Sequence, residues 1–288
     1  MRRRRMLTEA PLVLFFLLLG VVTLYPMWHC VAGSLMSYTE YMQKTVLLWP
    51  EQVTLEAYDF VFSQGKIFNP MKVTAYITVL GTLLNLIWTA WMAYGLSKRF
   101  PGSKLITYLV VFTMFLNPGL IANYMLFRSL NLLNNVYVYI LPALINTFYL
   151  IILRTNFSGF PASLEEAARI DGSGEFGIFF KIVVPLSKPI LATIALFTAV
   201  DYWNTYAQSV YFVSEASRKT LQDYLYMLLS NTSNNSAGAG IGSGGTSAVF
   251  SENIKLANTV IAVLPILLVY PFLQKYFTNG LMIGAIKG

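Results

Sequence analysis

Residues 12–31 begin Leu-Val-Leu-Phe-Phe-Leu-Leu-Leu and reach Val31 without an Asp, Glu, Lys or Arg. Five more stretches of similar character follow, at 73–96, 105–124, 136–153, 190–213 and 256–277. A helix needs about 20 mainly apolar residues to cross a bilayer. Six such runs in 288 residues leave little chain for a water-soluble core. The composition agrees: 56% of residues are apolar and 11% charged, against about 25% charged in a soluble domain. The expectation is an all-α membrane protein with six transmembrane helices. The first run also has the flanks of a signal peptide, with Arg2–Arg5 before it and Ala32-Gly33 after it. It is longer than the usual apolar segment of about 7–15 residues, which favours a retained span. Pro142, Pro265 and Pro271 fall inside runs, and Asn117-Pro118-Gly119 interrupts the third. Proline is tolerated in membrane helices where neighbouring groups satisfy the freed carbonyls.

The basic residues set the orientation. With the N-terminus inside, thirteen Lys and Arg flank the inner ends and seven lie in outer loops. The positive-inside rule then places both termini in the cytoplasm of a multi-pass protein. The net charge of +7 is thereby an orientation signal and not a nucleic-acid footprint. One cysteine and one histidine, Cys30 and His29, exclude an internal disulfide and make a Cys/His metal site a poor fit. No Gly-x-x-x-x-Gly-Lys-Ser/Thr loop and no Gly-x-Ser-x-Gly elbow occurs, so neither ATP hydrolysis nor acyl transfer by this chain is expected, and no catalytic residue is assigned. Residues 231–245 are almost wholly Ser, Asn, Thr and Gly, and are expected to form a flexible outer loop.

The inner stretch 156–188, between spans four and five, carries the most information. Pro161-Ala162-Ser163-Leu164-Glu165-Glu166 reads as a helix start, with Ser163 and Glu166 three residues apart as a capping box. Gly172 is placed to end the helix at positive φ. Isolated helices shorter than about 12–15 residues are marginal in water, so packing must hold this one. A second apolar piece, 176–184, is expected to stop at Pro185.

Glu166-Ala167-Ala168, then Gly172, then Ile182-Val183-Val184-Pro185 resembles the EAA signature of ABC importer permeases, with Val184 where the family has Leu. Ala93-Tyr94-Gly95-Leu96-Ser97, Leu141-Pro142, Leu153-Arg154 and Trp203-Asn204 resemble stretches of the sugar-importing, maltose-type second permease branch, in the family's order. The resemblance implies a type I ABC importer permease fold with a cytoplasmic coupling helix between spans four and five, and one permease domain over 1–288. It implies a bacterial plasma membrane location. It also implies a companion permease, two cytoplasmic ATPase subunits, an extracellular or periplasmic sugar-binding protein, and a sugar or oligosaccharide substrate, the likeness around 231–245 and Trp203 being to permeases for complex oligosaccharides. ATP and Mg would be bound by the ATPase, and no cofactor or metal by this chain. Glu165, Glu166, Ala167, Ala168, Arg169, Asp171 and Gly172 would form the ATPase-coupling segment. Glu166 has two readings, a cap for its own helix and a contact with a basic partner groove.

Asp201 falls midway along the fifth run, where an ionised group is expensive and should face protein or water. With Tyr202, Trp203 and Asn204 it offers an aromatic surface, a carboxylate and an amide, a set suited to a sugar. The alternative is that Asp201 and Trp203 only join helices. Asn85, Asn117 and Asn146 at similar depth are expected to be interhelical hydrogen-bonding groups. A secondary transporter would show paired half-repeats, which this sequence lacks, and a membrane enzyme would need more than one Asp.

Overall fold

The computed structural model describes residues 2–44, 47–235 and 251–285. The chain is all-helical, 78% helix, with no strand among the described residues. It forms two compact units, residues 1–68 with 224–264, and residues 69–223 with 265–288.

In the first unit, α1 (Arg2–Ser34) carries residues 12–19 with every side chain exposed, Leu14 at 65% and Leu17 at 63%. A helix that is apolar on all faces and uncovered matches hydrocarbon, not water. Its C-terminal end is built differently. Ala32, Met36 and Leu47 are buried together against Tyr41. Gly33 admits Leu256, since a Cβ there would lie 2.5 Å from Leu256 Cδ1. Asn253 Nδ2 donates to the Met36 carbonyl at 2.7 Å. Trp28 donates through Nε1 to Leu48 O at 2.6 Å and stacks on Trp49, while His29 sits edge-on to Tyr25 and Tyr41. Beyond α2 (Tyr38–Gln43) and α3 (Glu56–Gln64), this unit takes residues 224–235 of α14 (Leu221–Asn235) and residues 251–264 of α15 (Ser251–Ala285).

The second unit is organised on α4 (Phe68–Ser97), 30 residues without an interruption. Around it the apolar stretches expected to be single spans are broken helices. The third comprises α5 (Ser103–Thr113) and α6 (Gly119–Ser129), with Met114–Pro118 between them. Eleven residues of α5 span about 16 Å, half of the hydrocarbon core. The fourth comprises α7 (Tyr137–Ile140), a 3₁₀ turn through Pro142, and α8 (Thr147–Ser158), bent by 44°. The fifth is α12 (Lys188–Trp203), a break at Asn204–Tyr206, then α13 (Ala207–Phe212). Among the described residues three helices are long and apolar enough to cross a membrane, or up to five if each of two bent pairs, 137–143 with 147–158 and 175–186 with 188–203, is one span.

The breaks are possible because amides repair them. Asn146 Oδ1 accepts from the Phe148 and Tyr149 amides at 3.0 and 3.3 Å and so caps α8. The 2%-exposed Asn85 donates to the Ala143 carbonyl at 2.7 Å, in the interrupted turn. Asn117 Oδ1 accepts from Gly119 N at 3.1 Å where α6 begins. Backbone groups without water must be paired from within the protein. Of the three asparagines read from sequence as helix-to-helix groups, Asn117 and Asn146 serve their own backbone at a break, while Asn85 joins α4 to the interrupted fourth stretch and to Thr198, as expected.

Three local expectations fail. The loop helix, α9 (Ala162–Ile170), starts at Ala162 after Pro161, and no side chain caps it. Ser163 is inside the helix, so the capping box does not form. Proline fixes the φ of the entry residue, its carbonyl accepts from Leu164 N at 3.2 Å, and the first turn, residues 162–164, is exposed. Pro185 does not end the second apolar piece. α10 (Glu175–Ile178) runs into a π-helical turn, Phe179–Val183, and α11 (Val184–Leu186) carries the chain past Pro185. The wider turn gives the proline ring room where an α-helical carbonyl would clash. Finally, residues 231–235 of the expected flexible loop continue α14 as helix, and residues 236–245 lie outside the described residues.

Candidate functional site

Two sites lie in the second unit. The first is the loop helix and its seat. α9 ends in a Schellman motif: Gly172 has φ +80°, its N–H donates to Arg169 O at 3.0 Å, and Ser173 N donates to Ala168 O at 2.9 Å. The glycine terminator read from sequence is therefore present in the structure. Of the helix side chains only Ala168 is buried. It joins a core with Ala93, Leu150, Leu153, Ile178 and Val183. Ile170, 87% exposed, together with Phe176 and Phe180, faces outward. A short helix with one buried alanine and an uncovered isoleucine has a second face still to be covered.

Charged groups fix the seat. Lys98, just past α4, pairs with Glu165 and lies 3.7 Å from Glu175. It also sits 4.2 Å above the Tyr94 ring. The Tyr94 hydroxyl donates to Glu175 at 2.8 Å, and Arg169 reaches the other Glu175 oxygen at 2.6 Å. The Tyr94 hydroxyl, then Lys98 and Arg169, hold the Glu175 carboxyl below its ordinary value of 4.5. These contacts are present above that value and fade as pH falls through the lower folded one. Arg154 completes the seat by donating Nε–H to Leu96 O at 3.0 Å, at the carbonyl end of α4.

The coupling residues read from sequence thus divide. Glu165 and Arg169 are committed inside the chain. Glu166, Ala167 and Asp171 are exposed, and no side-chain hydrogen bond or ion pair within the described residues involves Glu166 or Asp171. The cap reading of Glu166 is excluded and its carboxylate faces outward. Sequence reasoning missed Lys98, Tyr94 and Glu175. The signal was a basic residue two positions past the 73–96 run and an acidic one three past Gly172, a pairing visible only once the ends meet.

The second site is a cavity of about 240 Å³ in the same unit, reached by Asp201, Tyr149, Tyr202, Asn85, Asn146 and Gln208. Asp201 lies in the last turn of α12, not midway along a span, because the helix stops at Trp203. Its Oδ2 accepts from the Tyr149 hydroxyl at 3.1 Å. Neighbouring Thr198 donates to Asn85 Oδ1 at 3.4 Å. Neither Lys nor Arg lines this cavity.

The expected Asp201–Asn204 cluster is split by helical geometry. Tyr202 is 4% exposed and lies flat against α4, where a Cβ on Gly81 would be 2.5 Å from its ring. Trp203 turns to a separate apolar cavity of about 220 Å³ with Val79, Leu196 and Pro265. Asn204 is exposed and accepts from Gln222 Nε2 at 3.3 Å. Successive residues of a helix differ by about 100° in direction, so a run of four cannot share one face. Among the described residues no group of three or more His, Cys, Asp and Glu could hold a metal ion.

Comparison with known proteins fits this architecture. A permease protein of Bacillus subtilis, YtcP, assigned to polygalacturonan/rhamnogalacturonan transport, is 40% identical over 276 residues, which cover 95% of this chain and 96% of the relative. The LplC protein of the same organism is 41% identical over 280 residues, covering 96% and 93%. A chain of a bacterial ABC transporter that imports the acidic polysaccharide alginate superposes with a TM-score of 0.86 at 30% identity, covering 96% of this chain and 98% of its own. Residues 85–283, which contain both sites, match the family described as the binding-protein-dependent transport system inner membrane component. The chain belongs to that family and is a permease subunit of an ABC importer, a non-enzymatic pore component.

Proposed function

We propose that this subunit carries saccharides inward, above all those derived from acidic plant-type or uronate-rich polymers, in an ATP-driven importer. The relatives that span nearly the whole chain support the substrate class, since polygalacturonan, rhamnogalacturonan and alginate appear in their descriptions. In this reading the chain is one permease domain over 1–288 in the bacterial plasma membrane, with six spans and both termini cytoplasmic. The third span is then α5 and α6 taken together, despite the break between them. A companion permease completes the pore. An outer sugar-binding protein delivers substrate, and two cytoplasmic ATPase subunits bind ATP and Mg.

The observation that carries the coupling role is the outward face of the loop helix. Ile170 at 87% exposure stands beside the exposed Glu166 and Asp171, on a helix whose other side is locked to α4. An uncovered isoleucine flanked by two carboxylates suits a groove with an apolar floor and a basic edge. Ala167 lets that groove approach the backbone. Asp201, with Tyr149, lines the substrate path and accepts hydroxyl hydrogens. Tyr202 shapes that cavity through its ring, while Trp203 and Asn204 lie outside its lining.

Co-purification from membranes tests the docking face. Ile170→Asp should reduce the recovered ATPase by about tenfold or more while the two permeases remain paired, as expected for burying an unpaired charge in an interface. Recovery of the ATPase at the unsubstituted level would refute the docking face.

A further inference from the structure

α4 touches both sites and the outer loop. At its inner end Lys98 and Tyr94 hold the loop helix. In its middle Asn85 donates to Ala143 O and accepts from Thr198, beside the Asp201 cavity. At its outer end Thr74 Oγ1 accepts from Leu221 N at 2.8 Å, and Asn69 Nδ2 donates to Ser217 O at 2.7 Å. Thirty residues make this helix about 45 Å long, with no break.

We propose that α4 is the transmission element of this subunit, and that Lys98 is the positioning residue that keys the loop helix to it. The proposal rests on the coupling role given above to residues 156–188. The arrangement of charges is the argument. Lys98 meets Glu165 before Gly172 and Glu175 after it, and Arg169 reaches across to Glu175. The left-handed glycine is the natural flexing point of the loop, and these pairs splint it from both sides. α9, α10 and the end of α4 therefore move as one body.

Stability does not account for the cluster. Its side chains are between 24% and 55% exposed, and exposed ion pairs contribute little to folding. The buried apolar core under the loop already holds it to the unit. What the pairs add is register: a displacement of α9 is passed to α4 and not absorbed at Gly172. From α4 it reaches the Asp201 cavity through Asn85, and the 217–221 loop through Thr74 and Asn69. A rigid element that bears on two sites is the physical form such coupling takes.

The test uses the complete importer in vesicles, with its ATPase subunits and binding protein, and reads substrate taken up per ATP hydrolysed. Lys98→Ala should assemble and hydrolyse ATP, yet its ratio should fall by about fivefold. Lys98→Arg, which keeps a charge for both carboxylates, should return the ratio to within about twofold. If Lys98→Ala fails to assemble, Glu165→Gln makes the same measurement with side-chain size preserved. An unchanged ratio in the variant that assembles overturns the proposal, as does a loss that Lys98→Arg does not restore. Ile170→Asp separates the two readings. If it loses the ATPase while Lys98→Ala keeps a normal ratio, only the transmission role fails. If it keeps the ATPase, the coupling role beneath it fails too.

Discussion

The loop helix and the Asp201 cavity belong to one unit and solve opposite problems. The loop helix is short and mostly exposed, and depends on charged side chains to sit in one place. The cavity lies among helices, has no basic residue in its lining, and is held open by amides and hydroxyls that satisfy broken backbone. Water explains the difference. At the loop, ions are solvated and ion pairs carry little penalty, so they can encode position without much stability. In a low-dielectric surrounding the same charges would be expensive, and the cavity is lined mainly by neutral donors and acceptors. The one exception at the cavity, Asp201, is therefore the residue there whose charge most needs a functional reason.

The largest effect should come from Gly172→Pro. Gly172 has φ +80° and donates its N–H to Arg169 O, and proline permits neither. The helix end would unwind and release α9 from the splint. Uptake by the assembled importer should fall to about a tenth or less of the unsubstituted rate. Gly172→Asn is the control, because a Cβ at this position would meet no atom within 4 Å and asparagine accepts the left-handed region. It should keep most of the uptake. Equal uptake by the proline variant would show that the loop needs no defined terminus.

A smaller effect is expected from Gly81→Ala, which probes the cavity side. Its Cβ would lie 2.5 Å from Tyr202 Cζ, in a contact between a buried ring and the α4 backbone. Overpacking of this kind costs about 1–3 kcal/mol. The yield of assembled complex and its thermal midpoint should both drop, with uptake per complex less affected. A midpoint equal to that of the parent would mean that the ring moves aside freely and that Tyr202 does not fix α12 against α4.

The two regions were unequally legible in the sequence. The loop announced itself because its signals are local: a glycine at a helix end and a spaced motif are properties of consecutive residues. Even there, Ser163 and Glu166 misled, since a capping box is a weak pattern and Pro161 supplied a competing entry. The splint could not be read, because Lys98 and Glu165 are 67 positions apart. The apolar runs pointed to helices, and Asn117-Pro118-Gly119 marked the break in the third, but the breaks in the fourth and fifth were not read. Asn146 and Pro142 mark one break and Asn204 another, yet hydropathy averages over them. The Asp201 cluster failed for a geometric reason, as adjacency along a helix sends side chains to different faces. The cavity draws on Asn85 and on two stretches, 139–149 and 198–208, that only the fold brings together.

The smallest effect is expected from Asp201→Asn, and it bears most directly on why the cavity holds a charge. Asparagine keeps a carbonyl oxygen for the Tyr149 hydroxyl, which now donates to Oδ2 at 3.1 Å. No Lys or Arg lines the cavity, so neutralisation strands no buried cation, and complex yield should be normal. What changes is the strength of hydrogen bonds accepted from substrate. Bonds to a charged group are worth about 1 kcal/mol more than neutral ones, which converts to roughly fivefold in uptake at low substrate concentration. The sign should depend on the sugar. A neutral oligosaccharide loses a strong acceptor and is taken up more slowly. A uronate-bearing one also escapes repulsion between its carboxylate and Asp201, so its loss is smaller or reversed. The ratio of uronate-bearing to neutral uptake should rise in the variant, measured in vesicles at matched complex yield with both sugars offered together. A ratio identical to that of the parent would leave Asp201 as a hydrogen-bond partner of Tyr149 that joins α8 to α12, outside the substrate path.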